Sequence, residues 1–240
     1  MHLICPRCYC SNINKNGHTY YGKQNYKCKA CERQFVADNR HTIRRTVRQL
    51  IKRSLLERNS LRAICRIFDV SLTWLQCFAR ALWRQVPKNL GLNKKKIRRI
   101  KKMQVFGLQA DEMWSFVGCK AYKRWIWIVF DPVHRVVVAY HIGDRSDRSA
   151  EALFRKIPER LRRCCFETDY WESYQKIFAD TQHRVGKAYT YHIEGFNATV
   201  RARCSRLVRR ALSFSKSEKW HNLAIGYLFW QLNLERHPYF

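Results

Sequence analysis

Two short cysteine pairs dominate the start of the chain: Cys5-Pro-Arg-Cys8 and Cys28-Lys-Ala-Cys31. Nineteen residues separate them, within the range expected of a four-thiolate zinc site. Each pair suits a tight knuckle, and two knuckles can close a tetrahedron around one ion. A segment of about 40 residues buries too little core to fold alone, so a structural Zn2+ held by Cys5, Cys8, Cys28 and Cys31 would supply the missing free energy. The stretches HTYYGKQNYKC and RQFVA read as the short strands of a zinc ribbon. Disulfides are not expected in a reducing compartment. Cys10 is set aside as a non-ligand, and the remaining six (Cys65, Cys77, Cys119, Cys164, Cys165 and Cys204) read as small buried hydrophobes.

Charge narrows the partner. The 240 residues carry 47 Lys and Arg against 18 Asp and Glu, a formal charge of +29. A polyanion is the natural counterpart. The 46% apolar content is that of a folding chain rather than a disordered one. The longest uncharged stretch, Asn222 to Leu234, has 13 residues against the ~20 needed to span a bilayer. The start MHLICPRCYC has no apolar core after a basic start, as a signal peptide would. The expectation is therefore a soluble intracellular protein with nucleic acid as partner and no membrane. Residues 1–102 hold 25 basic and 4 acidic residues, residues 103–240 hold 22 and 14. Grip on a polyanion is expected in the first part and chemistry in the second.

Residues 40–87 are basic and helical. SLRAICRIFDVSLTWLQCFARALW fits two helices joined by a sharp turn at Phe68–Ser71, the helix-turn-helix pattern. Asp69 tolerates a left-handed turn position and Ser71 can cap the second helix. That helix would present Thr73, Gln76 and Arg80 outward, where Gln suits adenine and Arg suits guanine. Residues 88–104 are a dense run of Lys and Arg, read as a linker or an arm lying on phosphates.

Beyond the linker, QVFGLQADEMWSFVG, RWIWIVFDPVHR and RVVVAYHIGD read as three successive strands. A helix over SAEALFRKIPERL follows, ending or kinking at Pro158. CCFETD is a short strand, WESYQKIF a helix, HRVGKAYTYHI a fifth strand, and EGFNATVRARCSRLVRR a long amphipathic helix. Such an order gives an α/β fold with a mixed sheet. Asp111 then lies on the first strand, Asp169 just past the fourth, and Glu194 on the late helix. Three carboxylates brought together repel unless cations neutralise them. Two Mg2+ ions roughly 3.5–4 Å apart would do so and would activate a water or a 3′-hydroxyl for attack on phosphorus. Other acids have structural explanations: Asp131 as a turn residue, Asp144, Asp147 and Glu151 at a helix start, Glu167 and Glu172 as neighbours of Asp169.

The motifs ADEMWSFVG, TDYW followed by Tyr174, YTYHIEGFN and LSFSKS resemble the transposases of the insertion sequence one (IS-one) family, over nearly the whole length. The resemblance implies a ribonuclease H-like mixed-sheet catalytic domain over 105–240. Before it would come a zinc ribbon (1–39), a helix-turn-helix DNA-binding module (40–87) and a basic linker (88–104). It also implies a catalytic and Mg2+-binding triad of Asp111, Asp169 and Glu194, with Mn2+ as a substitute metal. Twenty-four residues separate Asp169 from Glu194, the family's spacing. Arg201, seven after Glu194, takes the position of a basic residue that would contact DNA near the scissile phosphate. Gly195 and Phe196 depart from the polar or basic residues of relatives. The resemblance implies double-stranded DNA as partner (the element's terminal inverted repeats and target DNA), held by a homodimer or larger assembly, and a cytoplasmic, nucleoid-associated place in a prokaryote. The alternative is a sequence-specific DNA-binding repressor or regulator with a non-catalytic second half.

Overall fold

A computed structural model describes residues 3–37, 43–208 and 212–236. The chain divides into two compact units, 1–50 and 51–240.

In the first unit, β1 (Ile13–His18), β2 (Gln24–Cys28) and β3 (Gln34–Val36) form an antiparallel sheet in the order β1-β2-β3. The stretches expected as strands supply β2 and β3, while β1 begins earlier, at Ile13. The two cysteine knuckles share one backbone design. Tyr9 N–H donates to the Cys5 carbonyl and Glu32 N–H to the Cys28 carbonyl, each at 2.9 Å. Tyr9 (φ 62°) and Glu32 (φ 56°), the residues just after each pair, both take the left-handed conformation. Helix α1 (Arg45–Ser54) follows and crosses the division between the units.

The second unit begins with α2 (Leu61–Phe68) and α3 (Leu72–Trp83). Ser60 Oγ accepts from Ala63 N–H at 3.1 Å and Ser71 Oγ from Trp74 N–H at 3.2 Å, so both helices start on a serine cap. Asp69 sits in the left-handed region (φ 49°, ψ 53°) and breaks the chain between them, as its side chain allows. The stretch expected as a linker folds instead: α4 (Lys94–Lys102) is capped by Asn93, and its Ile100 is 1% exposed. Basic residues on three sides of a helix leave room for one apolar stripe, and that stripe packs.

The main sheet contains β4 (Leu108–Val117), β5 (Cys119–Asp131), β6 (Val136–Gly143), β7 (Phe166–Thr168) and β8 (His183–Val185), in the order β6-β5-β4-β7-β8. β4, β5 and β6 are antiparallel, while β7 and β8 run parallel to β4. The fold is mixed α/β with a mixed sheet. α5 (Asp147–Lys156) leads from β6 towards β7 and stops before Pro158; α6 (Glu172–Ile177) leads from β7 to β8. The late helix α7 runs Tyr191–Arg203, starting before and ending short of the expected stretch; a single turn of 3-10 helix, Ser205–Leu207, follows it. Part of the expected helix, 209–210, lies outside the described residues. The last helix is α8 (Glu218–Glu235).

Both sheet faces are covered. On one, Met113, Ile126, Ile128 and Phe130 pack with Ala79 and Leu82 of α3, Ile193 and Val200 of α7, and Ile225 and Phe229 of α8. On the other, Ala110, Trp127 and Val129 pack with Ile100 of α4, Leu153 of α5 and Tyr174 of α6. Alternation along each strand sends neighbours to opposite layers. The uncharged run 222–234 is therefore a core helix, and among the described residues no helix is long and apolar enough to cross a membrane.

LSFSKS (Leu212–Ser217) docks on the end of β4. Gly118 N–H donates to the Ser215 carbonyl at 2.7 Å, and His221, fully buried, joins Ser115 Oγ and Ser215 Oγ, each at 2.9 Å. Burial holds His221 down to about 4, with the Arg206 charge acting the same way. Of the six cysteines read as buried, only Cys164 is so; Cys65, Cys165 and Cys204 are half-buried, and Cys77 and Cys119 are exposed. Cys77 lies on the outer side of α3 and Cys119 in the β4–β5 hairpin, where no layer covers them.

Candidate functional site

In the ribbon, the sulfurs of Cys5, Cys8, Cys28 and Cys31 all lie within 4.8 Å of one another. Cys5 and Cys31 Sγ are 3.6 Å apart, Cys8 and Cys28 Sγ 3.5 Å. A Zn–S bond of roughly 2.3 Å in a tetrahedron gives sulfurs about 3.8 Å apart, so the four thiols are compatible with a structural zinc. Cys10 stays outside the group; its sulfur accepts from Asn12 N–H.

In the second unit the strand register brings two of the three expected acids together. β4 pairs with β7 at Leu108↔Phe166 and Gln109↔Glu167. The same offset carried two residues on sets Asp111 level with Asp169, which follows the last residue of β7. Both are half-buried. Asp111 Oδ1 accepts from Glu112 N–H at 2.8 Å and Oδ2 from Asn197 Nδ2 at 2.7 Å. Burial above all, with the negative charges of Glu112 and Asp169, pushes the Asp111 carboxyl up to about 7 against those two donors. Asp169 Oδ1 accepts from Trp171 N–H at 3.1 Å, a turn that fixes the carboxylate at the strand end.

Glu194 is exposed in the first turn of α7, one turn before Asn197, with Oε1 accepting from Thr190 Oγ1 at 3.1 Å. Three ties fasten this helix to β4. Ile193 N–H donates to Gln109 Oε1 at 2.9 Å, Asn197 Nδ2 to Asp111, and Arg201 Nη2 to the Trp114 carbonyl at 3.1 Å. Residues 193, 197 and 201 are four apart and so lie on one helix face. Arg201 also donates to the Leu207 carbonyl at 3.1 Å; its guanidinium is spent on backbone carbonyls of its own fold. Asn197 Oδ1 is buried beside Asp111 without a hydrogen-bond partner. Carboxylates and an amide oxygen are hard donors of the kind Mg2+ takes.

Beneath Asp111, on the opposite sheet face, Glu112 organises a second layer. Its carboxylate takes Arg145 Nε at 2.9 Å and the Tyr174 hydroxyl at 2.8 Å. The Arg145 guanidinium lies 3.7 Å from the Trp171 ring centre and 4.6 Å from that of Trp125. The segment that carries Asp169 is thus braced through Trp171 and Tyr174 to the strand that carries Asp111. Gln109, Glu112, Arg145 and Asn197 were not among the expected site residues. Glu112 stands inside the ADEMW motif, and Trp171 and Tyr174 inside TDYW and its extension, which was the available signal. Of the acids given structural explanations, Glu167 is buried between Gln109 (3.2 Å) and Arg184 (3.7 Å), and Asp131 accepts from Val133 N–H in its turn. Asp147 takes Lys176 at 2.6 Å.

On α3, Thr73 is exposed and Gln76 half-buried. Arg80 is half-buried too, with its guanidinium 4.9 Å from the ring centre of Trp220.

Taken together, a mixed α/β sheet carries Asp111 within β4 and Asp169 just past β7, with Glu194 exposed on a helix tied across β4; among the described residues, the four cysteines are the one His, Cys, Asp or Glu group close enough to share a metal ion. A family model described as IS1 transposase matches residues 104–236. The insertion element IS1 protein InsB of Shigella flexneri is 34% identical over 119 residues, covering 50% of this chain and 90% of that protein. The iso-IS1n protein InsB of Shigella dysenteriae is 35% identical over 119 residues (49% and 89%), and the IS1 4 protein InsB of Escherichia coli strain K12 is 33% identical over 119 residues (50% and 71%). The chain belongs to the IS1 transposase family. Membership carries a transposase role, with DNA as the substrate class.

Proposed function

We propose that this chain binds the terminal inverted repeats of an insertion element, cleaves the DNA at the element ends and joins the freed 3′-hydroxyls to target DNA. Asp111, Asp169 and Glu194 are the catalytic carboxylates on a ribonuclease H-like sheet. The chief support is the β4–β7 register, which sets Asp111 within β4 level with Asp169 just past β7, together with α7, which carries Glu194 and is tied across β4.

The same three carboxylates would hold divalent cations, Mg2+ or Mn2+. When bound, such ions neutralise the carboxylates and lower the pKa of a coordinated water or hydroxyl. The chain's own part is orientation. Asn197 and the Glu112 N–H fix both oxygens of Asp111, the Trp171 N–H fixes Asp169, and the Glu112–Arg145–Trp171 brace keeps the two segments at one spacing.

The ribbon, with zinc on Cys5, Cys8, Cys28 and Cys31, and the α2–α3 pair would recognise the repeats. Thr73 and Gln76 would reach base edges, and Arg80 would do so by leaving the Trp220 ring. Arg201 would act on DNA through the position of α7 more than by direct contact, since its guanidinium is already engaged. Joining two ends requires two active sites near each other, hence a homodimer or larger assembly on DNA.

Replacing Asp169 tests the core of the proposal. Asp169→Asn should keep the fold and the affinity for end DNA while Mg2+-dependent cleavage falls at least about 10³-fold, roughly 4 kcal/mol of barrier. Cutting and joining at the wild-type rate would remove Asp169 from the reaction.

A further inference from the structure

Large aromatic side chains surround the acidic site in a way the triad does not explain. Phe106, just before β4, Tyr170, next to Asp169, and Tyr189 and Tyr191, just before Glu194, are between 41% and 67% exposed. They form an arc rather than scattered singles. The His192 ring lies 3.7 Å from that of Tyr191 and 5.1 Å from that of Phe106, centre to centre. On the other side, Tyr189 and the Tyr170 hydroxyl both border the space beside Gly186, at 3.4 Å and 3.8 Å from where a β-carbon would stand. Gln109 links the two halves, donating to the Tyr189 carbonyl and lying 3.4 Å from His192 Nδ1.

Leaving four aromatic rings in water costs about 25 cal/mol for each Å2 of apolar surface, and an exposed cluster beside a site marks a partner. The partner must offer flat π-faces and negative charge, because Arg184 and Lys187 stand exposed in the same segment of a chain of charge +29. Paired DNA hides its base faces inside the stack, whereas an unpaired nucleotide presents both a base face and a phosphate.

We propose that Phe106, Tyr170, Tyr189 and Tyr191 form a stacking shelf for unpaired nucleobases of the DNA strand at the point of cleavage. The inference rests on the reading of Asp111, Asp169 and Glu194 as the cleavage site. The shelf holds the strand on both sides of the acids, Tyr170 from the β7 side and Tyr191 from the α7 side. It favours frayed or single-stranded ends over closed duplex.

The test compares the full chain's affinity for a blunt duplex with that for the same duplex carrying a short unpaired extension whose first base is 2-aminopurine. Stacking is worth about 1–3 kcal/mol per base, so wild type should favour the extended DNA by roughly 5- to 150-fold, with quenched 2-aminopurine fluorescence. Tyr170→Ala combined with Tyr191→Ala should abolish both the preference and the quenching and leave blunt-duplex affinity within about twofold. Tyr170→Phe with Tyr191→Phe, which keeps the rings, should retain them. Absence of a preference in wild type, its survival in the alanine pair, or an equal loss on both DNAs would overturn the shelf. These are binding readouts and need no cleavage. An Asp169→Asn chain that cuts normally refutes the catalytic reading whatever the extension shows, and one that fails to cut while ignoring the extension refutes the shelf alone.

Discussion

In the ribbon, the described buried apolar residues are Cys5, Cys28 and Phe35; in the α/β unit, Trp127, Phe130, Phe166, Phe178 and Phe229 are among many fully covered side chains on two sheet faces. The ribbon's geometry is repeated locally, two knuckles with the same hydrogen bonds and the same left-handed residue after each pair. The larger unit is fixed instead by contacts between distant segments. The contrast teaches that the first can be built by four residues and an ion, while the second is built by its core and its site is a by-product of strand register.

Metal removal should break the comparison most forcefully. Structural zinc in small modules contributes on the order of 10–16 kcal/mol, so chelation should unfold the ribbon completely and leave residues 51–240 folded. Limited proteolysis with mass spectrometry would read it: cleavage confined to the first 50 residues is expected, and continued protection there with no zinc in the purified protein would overturn the ribbon's dependence on metal.

A smaller effect should appear only in the larger unit. His221 is lowered from 6.5 to about 4 in the fold, so the unfolded chain takes up its proton first. The stability it contributes is fully present above pH 6.5, declines as the pH falls through that window, and is lost near pH 4, roughly 3 kcal/mol in all. Denaturant titrations at pH 7, 5.5 and 4 should show the decline, and His221→Gln should flatten it. An unchanged slope in that variant would assign the acid sensitivity elsewhere.

The smallest effect concerns one hydrogen bond. Asn197→Ala removes the donor to Asp111 Oδ2 and should slow cleavage about tenfold, about 1.4 kcal/mol, with end-DNA affinity unchanged. Equal losses in binding and rate would make Asn197 a part of the scaffold only.

Much of the scaffold is legible in the sequence because its signals are local. Cysteine spacing, the Ser71 cap, the Asp69 turn and the β-branched and aromatic runs of β4, β5 and β6 each act within a few residues. The basic run 88–104 misled for the same reason. Its charge is conspicuous, whereas the burial of Ile100 depends on Leu161 and its neighbours, far along the chain. Likewise Arg80 and Arg201 look free by spacing, and only the packed fold supplies Trp220, Leu207 and Trp114 to engage them.

The sequence alone therefore determined the knuckles, the helix pair, the succession of strands and helices and the three acids to watch. Tertiary structure alone decided that Asp111 and Asp169 share a level, that Asn197 and Glu112 brace them from the two sheet faces, and that Phe106, Tyr170, Tyr189 and Tyr191 stay exposed. The reason is physical. Propensity and capping act over a turn or two, but a parallel register joins residues 58 positions apart, and its value is fixed by how the whole core packs.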